Sequence, residues 1–214
     1  MRVVVLGAGG FGRETLDVIE AAVDAGTTEL RTAGVVDDHP SALALERLWA
    51  RGVRYLGTID EWLAGLEPGD ETRHLIGVGH PVVRRKLDER LTAAGRLAAT
   101  VVHPSASVGS QVVLGEGSVV CGGVQVSTNV HLGRHVHLNP NATVGHDARL
   151  DDFVSVNPAA TVSGECRIRE ATLLGAASVV LQGLTVGERA TVGAAACVVR
   201  DVPGGETVKG VPAR

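Results

Sequence analysis

The chain has 214 residues, room for one large domain or two small ones, and either arrangement buries a sizeable core. Aromatic residues are only 2% of it, yet 44% is hydrophobic and 28 residues are glycine, so the core must come almost wholly from Val, Leu and Ala, as in a thin repetitive solenoid. A net charge of -4 without any Lys/Arg-rich stretch argues against a nucleic-acid partner, and the lack of an apolar run near the ~20 residues of a membrane helix argues against membrane insertion, so a cytoplasmic protein is expected.

The first 95 residues read as an α/β unit. Arg2 to Leu6 is an apolar strand, Gly7-Ala8-Gly9-Gly10-Phe11-Gly12 matches G-x-G-x-x-G, and Arg13 to Ala25 follows as a helix with Leu16, Val18, Ile19, Ala22 and Val23 available for packing. Gly34-Val35-Val36-Asp37-Asp38 reads as a second strand ending in two carboxylates, where a Rossmann-like unit places its ribose-binding acid. His74 to Gly79 gives another strand and Val82 to Ala94 another helix. A glycine-rich turn between strand and helix suits phosphate binding by backbone amides, with Gly9 and Gly10 closest to the phosphate. About 95 residues cannot hold two mononucleotide-binding halves and a substrate domain, so a single nucleotide or nucleotide diphosphate is expected rather than a dinucleotide.

After a linker at 96–101, the grammar changes. From Val102 to Val198 every sixth residue is Val, Leu or Ile, without interruption, and four residues after most of them lies a small one such as Ala106, Ser118, Ala142 or Ala160. This hexapeptide repeat resembles the left-handed parallel β-helix, a triangular prism in which three hexads make one coil. The spacing itself shows that one residue in six points to a shared interior and that each repeat buries its apolar side on the next. Without insertions between 102 and 203, residues eighteen apart should stack roughly 4.8 Å above one another. Asn157, Gly175 and Gly193 then form one column, Pro158, Ala176 and Ala194 the next, and Ala159, Ala177 and Ala195 a third: a ridge of small residues fit for an extended ligand, or merely for tight corners. Residues 204–214 read as a tail. Cys121, Cys166 and Cys197 lack the close pairing of a zinc site and read as small apolar residues.

The chemistry-bearing segment is Asn139-Pro140-Asn141-Ala142-Thr143-Val144-Gly145-His146-Asp147. His146 lies two residues beyond an inward position and faces out; Asp147 adjoins it; Asn139 lies within the preceding hexads; Gly164 is its stacked partner, offering a free backbone N–H. A thioester is already activated, so acyl transfer needs one base and one oxyanion donor, which an imidazole near its ordinary pKa of about 6.5 and an amide can supply.

Taken together, the opening Val5-Leu6-Gly7-Ala8-Gly9-Gly10-Phe11-Gly12-Arg13, the Val36-Asp37-Asp38 strand end, Ile76-Gly77-Val78-Gly79 with Arg84, Arg85 and Lys86, Val102-His103-Pro104-Ser105-Ala106, Gly145-His146-Asp147 and the closing Val208-Lys209-Gly210-Val211-Pro212-Ala213-Arg214 resemble the bacterial sialic-acid O-acetyltransferase and UDP-amino-sugar N-acetyltransferase family, of NeuD or PglD type. The resemblance implies an acetyl-CoA-dependent transferase, a homotrimer with sites in the clefts between β-helices, and no metal. His146 would be the general base and Asp147 its partner. Gly164, Ala176, Gly193, Ala194 and Lys209 would contact the coenzyme, and Gly9, Gly10, Asp37, Asp38 and Asn139 the sugar nucleotide. The chain departs from some relatives at Ser155, where they carry a second histidine, and at Asp147, where they carry glutamate. Two other readings share this architecture: a metal-dependent hydratase of the γ-carbonic-anhydrase kind, to which His131, His135, His137 and His146 lack the spacing, and a non-catalytic sugar-nucleotide sensor.

Overall fold

The structure is a computed structural model that describes all 214 residues. The N-terminal domain runs β1 (Arg2–Leu6), α1 (Gly10–Asp24), β2 (Arg31–Val36), α2 (Ala42–Ala50), α3 (Ile59–Ala64), β3 (Arg73–Ile76) and α4 (Pro81–Ala93). Its three parallel strands lie in the order β2-β1-β3, and isolated bridges at Tyr55 and Ala98 extend the sheet at its two edges. Alternate residues of β1 serve opposite faces. Val3 and Val5 join a core that continues through α1 into the second domain, whereas Val4 and Leu6 pack with Ile59, Trp62 and Leu91 under α3 and α4. Helices α2 and α3 lie between β2 and β3, where the hydrophobic pattern predicts no element. Ser41 caps the first, and a Thr58/Glu61 capping box starts the second, a signal that was present in the sequence.

The expected linker is part of the fold: Ala98 pairs with His74, and Ala98, Ala99 and Val101 are buried. The chain then winds into a three-faced parallel β-helix of two-residue strands. The first face runs from Val101–Val102 to Thr207–Val208, the second from Ser107–Val108 to Cys197–Val198, and the third from Val113–Leu114 to Thr185–Val186, with seven, six and five strands respectively. Strand partners are eighteen residues apart, as in Thr143 beside Thr161 and Val144 beside Val162. From Gln111 to Ala195 every sixth residue has a left-handed backbone, and twelve of these are not glycine; each forms a corner between faces. Small or unbranched side chains at these positions keep the strain low enough for stacking to hold it.

The eighteen-residue register ends earlier than expected. Val202 pairs with Val186, and Thr207 with Thr191, each sixteen residues back. The corner after Val198 is two residues short, and the expected tail is the last coil: Thr207–Val208 completes the first face, and the Ala213 amide donates to the Cys197 carbonyl.

Outward positions distinguish the faces. On the second and third, Ser107, Gln125, Val113, Arg149 and Arg167 are exposed. On the first, Val101, Val119, His137 and Ser155 are all buried, because the N-terminal domain sits on that face.

Candidate active site

His146 follows Thr143–Val144 at the corner between the second and third faces. Its Nδ1 lies 2.8 Å from Asp147 Oδ2, and both side chains are about half exposed (48% and 49%). Asp147 takes the left-handed corner conformation (φ 59), which turns its carboxylate back along the ring. The bond from His146, and next that from Asn129 one coil below, hold the Asp147 carboxyl below its ordinary value. A Cβ placed on Gly164 would lie 2.6 Å from His146 Nε2, so the ring rests against the glycine and any larger residue would displace it. Gly164 itself is buried, a departure from the open amide the sequence suggested. Its N–H has no protein acceptor, since residues at this point of the hexad donate nothing to the ladder. For the same reason Pro140 and Pro158 are tolerated at the equivalent place on another corner.

That other corner, between the first and second faces, carries the small-residue ridge. Ala176, Ala177, Ala194 and Ala195 are exposed there, as expected of a track. Part of the smallness is steric: a Cβ on Gly175 would meet the Ala194 amide nitrogen at 2.6 Å, and one on Gly193 would meet Lys209 Cβ at 3.1 Å, which places Lys209 directly over Gly193. Asn139 belongs to this corner, mostly buried, with Nδ2 donating to the Val156 carbonyl (3.0 Å). Within one chain, then, His146 and the alanine track occupy opposite edges of the second face.

In the N-terminal domain, Gly7 (φ 103) and Gly12 are structural requirements, because a Cβ on Gly12 would strike the Gly7 carbonyl at 1.8 Å. Gly9 and Gly10 face open space instead, at an α1 N-terminus with no side-chain cap and no acidic residue in its first turn, an arrangement that favours an anion. Asp37 accepts from the amides of Ala8 (2.8 Å) and His39 (2.9 Å), so it shapes the glycine loop. Asp38 accepts from the Ile59 amide and from Arg90, 2.8 and 2.9 Å. Burial pushes its carboxyl up, but those two partners outweigh it and leave it lowered. Each acid retains lone pairs for a ligand, but its observed bonds are to the protein.

The interface between domains holds groups the sequence left unassigned. Arg84 of α4 is wholly buried without a carboxylate partner; it donates to the carbonyls of Val78, Gly79, His135 and Phe153 and to Ser155 Oγ. Burial lowers it to about 9, so it remains charged at neutral pH. Ser155 also donates to the Gly79 carbonyl (3.0 Å), so the position that is histidine in some relatives here fastens the two domains. Beside it, Asp88 accepts two bonds from Arg134 (2.7 and 2.8 Å) and one from His135 Nε2 (2.8 Å), with His74 3.9 Å away. The ligand atoms of His74, Asp88 and His135 lie within 4.8 Å of one another, yet a cation among them would press against the Arg134 guanidinium that already engages both Asp88 oxygens. The four histidines weighed for a hydratase do not converge either: His135 and His137 are buried at the domain interface, whereas His146 lies at an open corner.

A three-faced β-helix with a histidine–carboxylate pair on one edge and a small-residue track on the next, joined to a phosphate-binding type of α/β domain, is the architecture of a hexapeptide-repeat acyltransferase. Residues 2–91 match the PglD N-terminal domain family. The acetyltransferase domain of PglB from Neisseria gonorrhoeae FA1090 is 32% identical, with a TM-score of 0.85 over 100% of this chain and 98% of that one. PerB from Caulobacter crescentus, solved with CoA and GDP-perosamine, is 32% identical, with a TM-score of 0.86 over 100% and 96%. The chain belongs to the PglD-type acetyltransferase family. Among curated proteins it is similar to the GDP-perosamine N-acetyltransferase of Escherichia coli O157:H7, at 29% identity over 70% of this chain and 64% of the relative. It is also similar to the UDP-N-acetylbacillosamine N-acetyltransferase of Bacillus subtilis (strain 168), at 34% over 55% and 50%. The matches span less than two thirds of either curated relative.

Proposed function

We propose that this protein transfers the acetyl group of acetyl-CoA to the amino group of a nucleotide-linked amino sugar, with His146 as general base. The observation that carries this reading is the His146–Asp147 pair seated against Gly164 on an open corner. With Nδ1–H donated to Asp147, Nε2 keeps its lone pair for a proton. The sugar nitrogen attacks the thioester carbonyl carbon, a C–N bond forms, and the proton passes to Nε2; the C–S bond then breaks and the proton leaves with the coenzyme thiol. The Gly164 N–H, which has no protein acceptor, stabilises the oxyanion.

Because the base and the alanine track lie on opposite edges of one face, the complete site draws one edge from each of two chains, which is why we assign a homotrimer. Ala176, Gly193 and Ala194 then take the pantetheine arm and Lys209 the coenzyme phosphates. Gly9 and Gly10 receive the phosphates of the sugar nucleotide, Asp37 and Asp38 its nucleoside and Asn139 its sugar. Both substrates are cytoplasmic metabolites, and no helix of the chain is long and apolar enough to cross a membrane. The relatives named for GDP-perosamine and UDP-N-acetylbacillosamine support an amino-sugar acceptor.

The test is release of free coenzyme A thiol from acetyl-CoA with UDP-, dTDP- and GDP-linked 4-amino sugars, CMP-sialic acid and free sialic acid. At least one amino sugar should be turned over, and His146→Ala should lower that turnover by at least about a hundredfold with coenzyme binding retained. Release with sialic acids alone would move the reaction to a hydroxyl. Equal loss of coenzyme binding and turnover in His146→Ala would remove the base assignment.

A further inference from the structure

Asn129 stands directly below Asp147 in the stack, eighteen residues earlier, and both take the left-handed corner conformation (φ 60 and 59). Its Nδ2 donates to Asp147 Oδ1 at 3.0 Å, while Oδ2 of the same carboxylate lies 2.8 Å from His146 Nδ1. The two oxygens of Asp147 are therefore divided between two partners. One oxygen faces the ring and the other is tied to the coil beneath. An ionised carboxylate only accepts, so the amide must present its nitrogen, and the direction of the chain of bonds is fixed: Asn129 to Asp147, and His146 Nδ1–H to Asp147.

An exposed aspartate has rotamer freedom that would let its carboxylate swing away from the imidazole. Nothing else in the protein donates to its side chain. We propose that Asn129 is a positioning residue: its amide clamps the Asp147 carboxylate so that His146 is held as the Nδ1–H tautomer, with Nε2 as the proton acceptor. This deepens the acetyl-transfer reading and rests on it, since it assigns no contact between Asn129 and substrate. The bonds that lower the Asp147 carboxyl are the same two, which agrees with a carboxylate held ionised in this place.

The backbone allows the test. Ala159, Ala171, Ala177 and Ala195 occupy the same left-handed corner position (φ 55 to 57), as does Gln111 at the foot of the Asn129 column (φ 59). Asn129→Ala and Asn129→Gln therefore ask nothing of the corner that the fold does not already accept. Asn129→Asp keeps the shape but replaces the donor with a second acceptor of like charge. Loss of one charge-assisted bond should lower kcat about tenfold in Asn129→Ala with KM for acetyl-CoA and for the amino sugar nearly unchanged, and Asn129→Asp should be worse than Ala. Asn129→Gln should recover part of the loss. A merely structural role gives the opposite order, because the isosteric Asp would then be the mildest change.

A readout independent of any acceptor is the long-range 15N spectrum of histidine-labelled protein, with the His146 signal assigned by its disappearance in His146→Ala. Wild type should show the Nδ1–H tautomer, and Asn129→Ala a mixture. An unchanged tautomer in Asn129→Ala, with kcat also unchanged while His146→Ala is inactive, overturns the positioning role and leaves the base assignment standing. Full turnover by His146→Ala overturns the assignment of the base itself, and the role of Asn129 with it.

Discussion

Two histidine–aspartate pairs in this chain have the same bond length and opposite surroundings. At the domain interface, His135 Nε2 meets Asp88 at 2.8 Å; at the open corner, His146 Nδ1 meets Asp147 at 2.8 Å. Asp88 is nearly buried, with both oxygens engaged by Arg134, and His135 is fully buried between the planes of His74 and Phe153. Both rings rest against a glycine of a neighbouring coil, Gly117 for His135 and Gly164 for His146, but Nδ1 of His135 is buried, whereas Asp147 and His146 are half exposed. The pair alone is therefore no mark of catalysis. What matters is whether the far nitrogen has an approachable space, and whether the carboxylate is committed to a cation that would have to be left behind. At the interface the pair joins the two domains, and at the corner it stays open to solvent, as the proposed proton transfer requires.

The sharpest way to break this comparison is to remove each carboxylate's neighbourhood in turn. Asp88→Ala leaves the Arg134 guanidinium and the His135 ring beside an apolar side chain, and should cost about 3 kcal/mol of stability, read as a lower urea midpoint. Acetyl transfer per folded molecule should be unaltered, since no reacting group lies there. A variant as stable as wild type would show that the interface pair does not hold the domains; one that folds normally but fails to transfer acetyl would show that it belongs to the site.

How much of this contrast was legible beforehand follows from what a repeat encodes. The sixfold aliphatic period sets the inward residues, and the eighteen-residue column places Gly164 over His146 and, one coil lower, Asn129 under Asp147. The period could not say which outward face would be covered. A partial hint was there: Val101 and Val119 are both apolar at outward positions of the first face, where the second carries Ser107 and Gln125, although Val113 on the third face is apolar and exposed. Arg84 gave no such hint, because an arginine on a helix reads as solvated until carbonyls from Gly79, His135 and Phe153 are seen to converge on it. The short last corner was also recoverable, since Val202 and Val208 resume the sixfold spacing four residues after Val198.

A smaller perturbation sharpens the corner side. Gly164→Ala adds one methyl whose carbon would lie 2.6 Å from His146 Nε2. The ring is half exposed and can swing outward, so the fold should keep its urea midpoint. Turnover should nevertheless fall about tenfold, because in the proposed role of His146 as base a displaced ring loses its near-attack geometry. A Gly164→Ala enzyme with wild-type kcat would mean that the ring works from another rotamer, and that its contact with the glycine is incidental.

The last difference between the two pairs lies in their answer to acid. Burial lowers His74, His135 and His137 below the ordinary 6.5, against the opposing pull of Asp88 on the first two, and Arg84 lowers His137 further. The neutral form of these rings is therefore favoured in the folded protein. In the unfolded chain they take up protons as pH falls through 6.5, so the unfolded state binds more protons and stability declines with acidification. The stability they permit is fully present above that value and is lost below it. Asp88 adds nothing in this window: burial raises its carboxyl, but His135, His74 and Arg134 outweigh that and hold it far below the usual carboxylate range. The urea midpoint should therefore be lower at pH 5.5 than at pH 7.5, and His137→Leu, which keeps an apolar contact with Phe11, should reduce the difference. If the midpoint stayed level across this range, or the His137→Leu variant kept the full difference, the interface histidines would not be the neutral, desolvated groups that set them apart from His146.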